Sequence, residues 1–275
     1  MKRLARHPSA LVGAVLLLVV VAASLVGMVA TPHDPTAVDP LARMQSPTLA
    51  YPLGTDQFGR DILSRVLAGG HLTLATGFFS VLFGLVIGGG IGCLAGYFGR
   101  TVDLGVVAFM DILLAFPAVL LALGIVAILG GSVTNVIVAV GIATVPVFAR
   151  VARAAVLSVV VRPYVKAAIA MGCTHRRILA RHVLPNILGP MLVLTTTTIA
   201  TAILIGSALS FLGLGAAPPT PEWGVMLSDA RAYMQLGWWL TAAPGVALAL
   251  VVLALNLLGD GLRDLIDPTS RQVGG

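Results

Sequence analysis

The sequence predicts an all-α integral membrane protein with six transmembrane helices. Three observations predict it. Hydrophobic residues make up 58% of the 275-residue chain and charged residues 10%, and the mean hydropathy is +1.00, too apolar for a water-solvated surface on a globule of this length. Six apolar runs match the requirement of about 20 helical residues to cross a hydrocarbon core of about 30 Å. The basic residues are also strongly one-sided: alternate connections carry thirteen Lys/Arg on one face and four on the other.

The first run, Ser9–Ala30, follows Lys2, Arg3 and Arg6. Its apolar stretch is longer than the 7–15 residues or so of a signal-peptide core, so it reads as an uncleaved anchor rather than a cleavable leader. Residues 1–30 therefore form a cytoplasmic tail and the first span. Residues 31–71 are a long extracytoplasmic segment rich in Pro and Asp, in which "GTD" and "GRD" form turns and "DILSRVLAG" reads as a short helix capped by Asp61. The second span is Leu72–Phe98, with Gly84, Gly88, Gly92 and Gly96 recurring every four residues. That spacing makes a smooth face on which another helix can approach closely.

Minimal turns, "GRTVD" and "GGSVTN", bound the third span, Leu104–Ile128. It holds Asp111, the only acid inside the six runs. An ionisable residue at such depth is either a lining group of a polar pathway or a buried partner for a neighbouring helix, and both readings stay open. The fourth span, Val133–Ala149, can continue through "ARVARAAVLSVVV" with its arginines among headgroups. Then comes the basic hairpin "YVKAAIAMGCTHRRILARHVLPN", Tyr164–Asn186, inside the connecting loop 156–188. Helix over 167–171 ends at Gly172, Thr174 is placed to cap a second basic helix, and Pro185 is expected to stop it.

The fifth span, Met191–Leu212, carries the threonine run Thr195–Thr198. Those hydroxyls either bond their own helix carbonyls or line a polar path, with Thr195 and Thr198 as lining candidates. Residues 213–237 are a second outer loop whose prolines precede a short amphipathic helix, "WGVMLSDARAYM". Trp238 and Trp239 open the sixth span, Trp238–Leu258, as interfacial anchors, and 259–275 is a cytoplasmic tail. Pro117, Pro146 and Pro244 inside spans permit kinks. With both termini inside, the thirteen-to-four bias obeys the positive-inside rule. The net charge of +6 is then an inner belt against acidic lipid and does not require nucleic acid.

Several other chemistries are excluded. "GIGCLA", Gly90–Ala95, matches a dinucleotide fingerprint but lies within a span with no preceding strand. No Walker-type G-x-x-x-x-G-K-[ST] occurs, and all five histidines lie outside the spans, so no histidine base serves Ser207 at depth. No catalytic or metal-ligating set emerges. Cys93 and Cys173 lie far apart, and no disulfide is implied.

The hairpin's two alanines, Ala167 and Ala168, the glycine four residues after the second, the basic stretch and the closing Leu-Pro resemble the "EAA" loop of inner-membrane permeases of binding-protein-dependent ABC importers. "PLGTDQFGRDILSR", "MDILLAFPAVLLAL", "ALSFLGLGAAPPTPEWGVML" and "NLLGDGLRDLIDP" resemble the C-type permeases of the dipeptide, oligopeptide and nickel group. The resemblance covers nearly the whole chain. It implies a type I ABC importer (MetI-like) permease fold, with residues 72–258 as a five-helix core and the hairpin as a cytoplasmic coupling helix. It also implies a homologous B-type permease as heterodimer partner, one or two cytoplasmic ABC ATPase subunits that hold ATP and Mg, and an extracytoplasmic solute-binding protein. The chain itself would bind no cofactor and would form half of a pathway for dipeptides or oligopeptides in a bacterial inner membrane. Nickel or another small solute is the alternative cargo. A stand-alone secondary transporter is disfavoured by the lone Asp111 and the lack of half-to-half similarity.

In the coupling role the resemblance places Lys166, Ala167, Ala168, Gly172, Cys173, Thr174, His175, Arg176, Arg177 and Pro185. The family usually has Glu where this chain has Lys166, which puts in question pairing with a generic ATPase.

Overall fold

A computed structural model describes residues 8–266. The basic residues Lys2, Arg3, Arg6 and Arg271, and the end of the 259–275 segment, lie outside the described residues. Among the described residues there is no strand beyond one isolated bridge between Thr55 and Asp61.

The first span is helix α1 (Pro8–Val29), as expected. The second differs from expectation: α2 (Ile62–Phe98) is one uninterrupted 37-residue helix, so the short helix and the span are the same element. Asp61 caps it, accepting from the Ser64 amide at 3.1 Å. Gly69 and Gly70, which could have broken it, lie where other chain segments press in. A Cβ on Gly69 would stand 3.1 Å from Pro221, and one on Gly70 2.9 Å from Trp223. These glycines serve close packing within a continuous helix.

The third span is broken. Helices α3 (Arg100–Leu114) and α4 (Ala118–Leu129) meet at an 88° bend. Pro117 lacks an amide hydrogen and disfavours helical backbone at the residue before it, and the chain turns at Ala115 and bends at Phe116. The next helix, α5 (Val133–Val160), continues past Ala149 and is capped by Ser132. The hairpin follows as α6 (Pro163–Ala170) and α7 (His175–Ile178), then a π turn, Leu179–Val183, that runs straight into α8 (Leu184–Phe211).

Pro185 therefore does not stop the helix. In the π turn the Leu184 amide already bonds back to Leu179, so the hydrogen-bond ladder is displaced at the point where proline's missing donor would be felt. Helix α9 (Trp223–Ala230) is capped by Glu222. The last helix, α10 (Trp239–Ile266), runs eight residues beyond the expected end at Leu258.

Among the described residues five helical runs are long and apolar enough to cross a membrane, or six if the bent α3–α4 pair is one span. Their core joins α2, α4, α5 and α8 through Val81, Val126, Val140, Phe148, Ala202 and Leu209. At its centre α2 and α5 run in backbone contact. Gly88 and Gly92 face the carbonyls of Val145 and Ala149, Gly84 faces Thr144, and a Cβ on Gly96 would stand 2.9 Å from the Arg153 carbonyl.

Candidate functional site

At one end of the bundle the hairpin sits on an apolar base. Val165 and Ala168 from α6, Ile178 from α7, and Val183 and Ile187 beyond it are buried against Val156 and Val159 of α5 and Cys93 of α2. Gly172 makes the turn possible. Its φ of +76° is a backbone state that side chains with a Cβ disfavour. Its amide bonds to Ile169 O at 2.9 Å and the Cys173 amide to Ala168 O at 3.1 Å. That pair of bonds is a Schellman stop, which closes α6 and turns the chain at once into α7.

The resulting hairpin has two faces. Ala168 is buried and Cys173 packs on the base. Lys166, Ala167, Gly172, Thr174, His175, Arg176, Arg177 and Pro185 are exposed, together with Ile169 and Met171. Thr174 occupies the capping position of α7, but its side chain makes no cap hydrogen bond. The phenol of Tyr97, one residue before the end of α2, lies 2.8 Å from Nδ1 of His175. Sequence reasoning did not single out Tyr97. The signal available was an aromatic pair, Tyr97 and Phe98, at the end of a span facing a hairpin that contains a histidine.

Asp111 lies on α3 with Arg150 of α5, whose Nη2 donates to it at 2.7 Å. Both side chains are more than half exposed, and they border a cavity of about 270 Å³ with Met110, Ala149 and Arg153. Arg153 makes a two-pronged pair with Asp103, one contact at 2.6 Å. Thr195 and Thr198 bond their own helix, to Met191 O at 2.8 Å and Leu194 O at 2.7 Å, and Thr198 is buried.

The opposite end carries a cap where the sequence predicts turns and a short helix. Asp56, Arg60, Asp61 and Arg65 are all buried. Arg60 Nε is 2.5 Å from Asp56, and its Nη2 is 3.4 Å from Asp229 of α9. Arg65 donates to Pro35 O at 2.9 Å and Pro219 O at 3.3 Å, which ties the two outer segments together. Glu222 accepts from Thr73 of α2 at 2.9 Å and from the amides of Gly224 and Val225. The legible sign was the i, i+4 pair Asp56/Arg60 beside a second Asp and Arg. Trp239 donates to Thr55 O at 3.2 Å while Trp238 stays exposed, so one tryptophan of the pair clamps the cap.

Residues 88–272 match the family described as binding-protein-dependent transport system inner membrane component, and residues 1–47 match the N-terminal TM domain of oligopeptide transport permease C. A dipeptide transport system permease protein DppC of Alkalihalophilus pseudofirmus is 43% identical over 97% of this chain and 88% of its own. A glutathione transport system permease protein GsiD of Pectobacterium atrosepticum is 41% identical over 97% of this chain and 89% of its own. Among solved structures, the inward-facing MetNI methionine ABC transporter shares the fold. It matches with a TM-score of 0.59 and 22% identity, covering 74% of this chain and 96% of that one. A match over two thirds of the sequence and relatives this similar over nearly all of it place the chain in the family of binding-protein-dependent transport system inner membrane components.

Proposed function

We propose that the chain is one membrane subunit of an ATP-driven importer of peptides, and that its hairpin is the contact through which cytoplasmic ATPase subunits drive it. The hairpin end then faces the cytoplasm and the cap faces outward, where a solute-binding protein delivers cargo. A homologous second permease completes the pathway. Peptides are the favoured cargo because relatives 41–43% identical over nearly the full length are named for dipeptide and glutathione transport.

The observation that carries the coupling reading is the composition of the hairpin's free face. Ile169 and Met171 are 50% and 76% exposed beside Lys166, Arg176 and Arg177. Apolar side chains within a basic rim fit a protein groove with an acidic edge better than they fit water. In this reading Lys166 meets an acid on the ATPase, in place of the lysine or arginine that the usual Glu would need.

Gly172→Leu tests the role directly. A side chain there meets nothing within 4 Å inside the chain, so it projects outward at the tip. The left-handed backbone adds about 1–2 kcal/mol of local cost. The expected result is a protein that inserts and assembles with its partner permease but does not support ATP-driven peptide uptake. Gly172→Asn, which tolerates the same φ with a smaller side chain, should retain most of the uptake. Normal uptake by the leucine variant would refute coupling through this turn.

Orientation is checked separately. Cysteines introduced at the exposed Ser46 and Thr220, in a background lacking native cysteines, should react with an impermeant thiol reagent in intact cells. Native Cys173 should react only after permeabilisation. Labelling of Cys173 from outside would invert the proposed topology.

A further inference from the structure

Helix α2 touches both working ends of the molecule. Over 37 residues it spans about 55 Å at about 1.5 Å per residue. At the cap end Asp61 begins it and lies 3.2 Å from His33, the Trp223 indole donates to Val66 O at 2.9 Å, and Thr73 donates to Glu222. Along its middle the glycine seam holds it against α5 at backbone contact, which leaves no room for one helix to slide past the other. At the hairpin end Tyr97 reaches His175 at the first position of α7, with the rings edge-on at 5.6 Å and Phe98 5.9 Å from the same imidazole. The hairpin is joined by the chain to α5 and α8. The Tyr97–His175 contact adds a polar attachment to α2, a helix that is not the hairpin's neighbour in sequence and otherwise meets its apolar base through Cys93.

We infer that Tyr97 and His175 form a clasp that makes the hairpin and α2 move as one body, so that a push on the hairpin by the ATPase is delivered along α2 to the outer cap. This rests on the coupling reading given above. Tyr97 and His175 are positioning residues in this scheme: neither touches ATP or cargo. The apolar base alone, in which α2 contributes Cys93 against Val, Ile and Ala side chains, resists separation of the hairpin from α2 but has little directional resistance to rolling. A hydrogen bond and two ring contacts at the rim supply that direction.

The experiment uses the whole transporter, with partner permease, ATPases and binding protein, in lipid vesicles supplied with dialanine and ATP. In a Cys93→Ala, Cys173→Ser background, the double variant Tyr97→Cys/His175→Cys is assayed for ATP hydrolysis and for dialanine accumulation together. Its dialanine accumulated per ATP should fall about threefold to tenfold. Joining the two thiols with a short bis-thiosulfonate should return that ratio to the value of the background protein, and reduction should abolish the rescue. His175→Gln, which keeps a polar partner for the phenol, should lie close to wild type, and Tyr97→Phe should fall about threefold.

Cross-linking that arrests uptake would mean that the two residues must part during the cycle, and it would overturn the clasp. A ratio unchanged in every variant would overturn it as well. A parent complex that hydrolyses ATP without accumulating dialanine would refute the peptide reading before any variant is made. A parent complex whose uptake survives Gly172→Leu would refute coupling through the hairpin, and the clasp with it.

Discussion

Replacing Gly92 by valine is expected to abolish accumulation of the folded protein in the membrane, while Gly90→Val, two residues away, is expected to leave it near the wild-type level. The difference comes from what each side chain would meet. A Cβ on Gly92 overlaps the Ala149 carbonyl and lies 2.8 Å from both its carbon and its Cα, whereas one on Gly90 meets nothing within 4 Å. Ordinary overpacking costs about 1–3 kcal/mol because side chains can shift. At Gly92 the obstacle is the backbone of α5, whose apolar stretch is made mostly of buried residues, so the helices must separate along the whole seam. The cost should exceed that range. Quantitative immunoblotting of membrane fractions, with thermal aggregation of the detergent-extracted protein, measures it. Equal levels for the two variants would show that the α2–α5 contact is not what the fold depends on.

Arg60→Ala in the cap should lower stability by about 3–5 kcal/mol, the usual consequence of leaving one member of a buried ion pair without its partner. Arg60 is 4% exposed and Asp56 8%, so water does not replace the lost guanidinium. Arg65, 3.8 Å from the same carboxylate, offsets part of the loss and favours the lower end of that range. Arg43→Ala is the control. Its side chain is exposed at the surface and donates to Gln57 O at 2.7 Å, a single hydrogen bond worth about 1 kcal/mol. Thermal unfolding of purified protein should therefore separate the two arginines clearly. Similar midpoints would mean that the Asp56–Arg60 pair adds little to the cap.

The spans were legible because apolar length is a one-dimensional signal: α1 matches its run, and α5, α8 and α10 contain theirs almost whole while extending beyond one end, where the helix leaves the apolar stretch. The four-residue glycine period was legible for the same reason, since a helix repeats its face every 3.6 residues. What it could not reveal was which helix fills the groove. The bend before Pro117 was half legible: proline permits a break, but whether neighbours restore a straight helix depends on packing. At the cap the reading failed more fully. Asp56, Arg60, Asp61 and Arg65 look like solvated turn residues because charge usually marks surface, and only contacts with Asp229, Pro35 and Pro219, distant in sequence, bury them. The hairpin's stop at Gly172 was read from one residue type. The tie between His175 and Tyr97 joins residues 78 apart, and no local pattern encodes it.

The π turn at Leu179–Val183 has an angular consequence. A regular helix advances about 100° per residue, and a single π turn accommodates one residue more than the regular ladder would. The basic face of α7 is therefore out of phase with α8 by about one residue's rotation, although the two run on as one rod from His175 to Phe211. A helical wheel drawn straight through that stretch assigns Arg176 and Arg177 to the wrong side. The direction in which the hairpin presents its charges is thus written in the winding of the main chain. Side chains decide what the face contains, and the count of residues in one wide turn decides where it points.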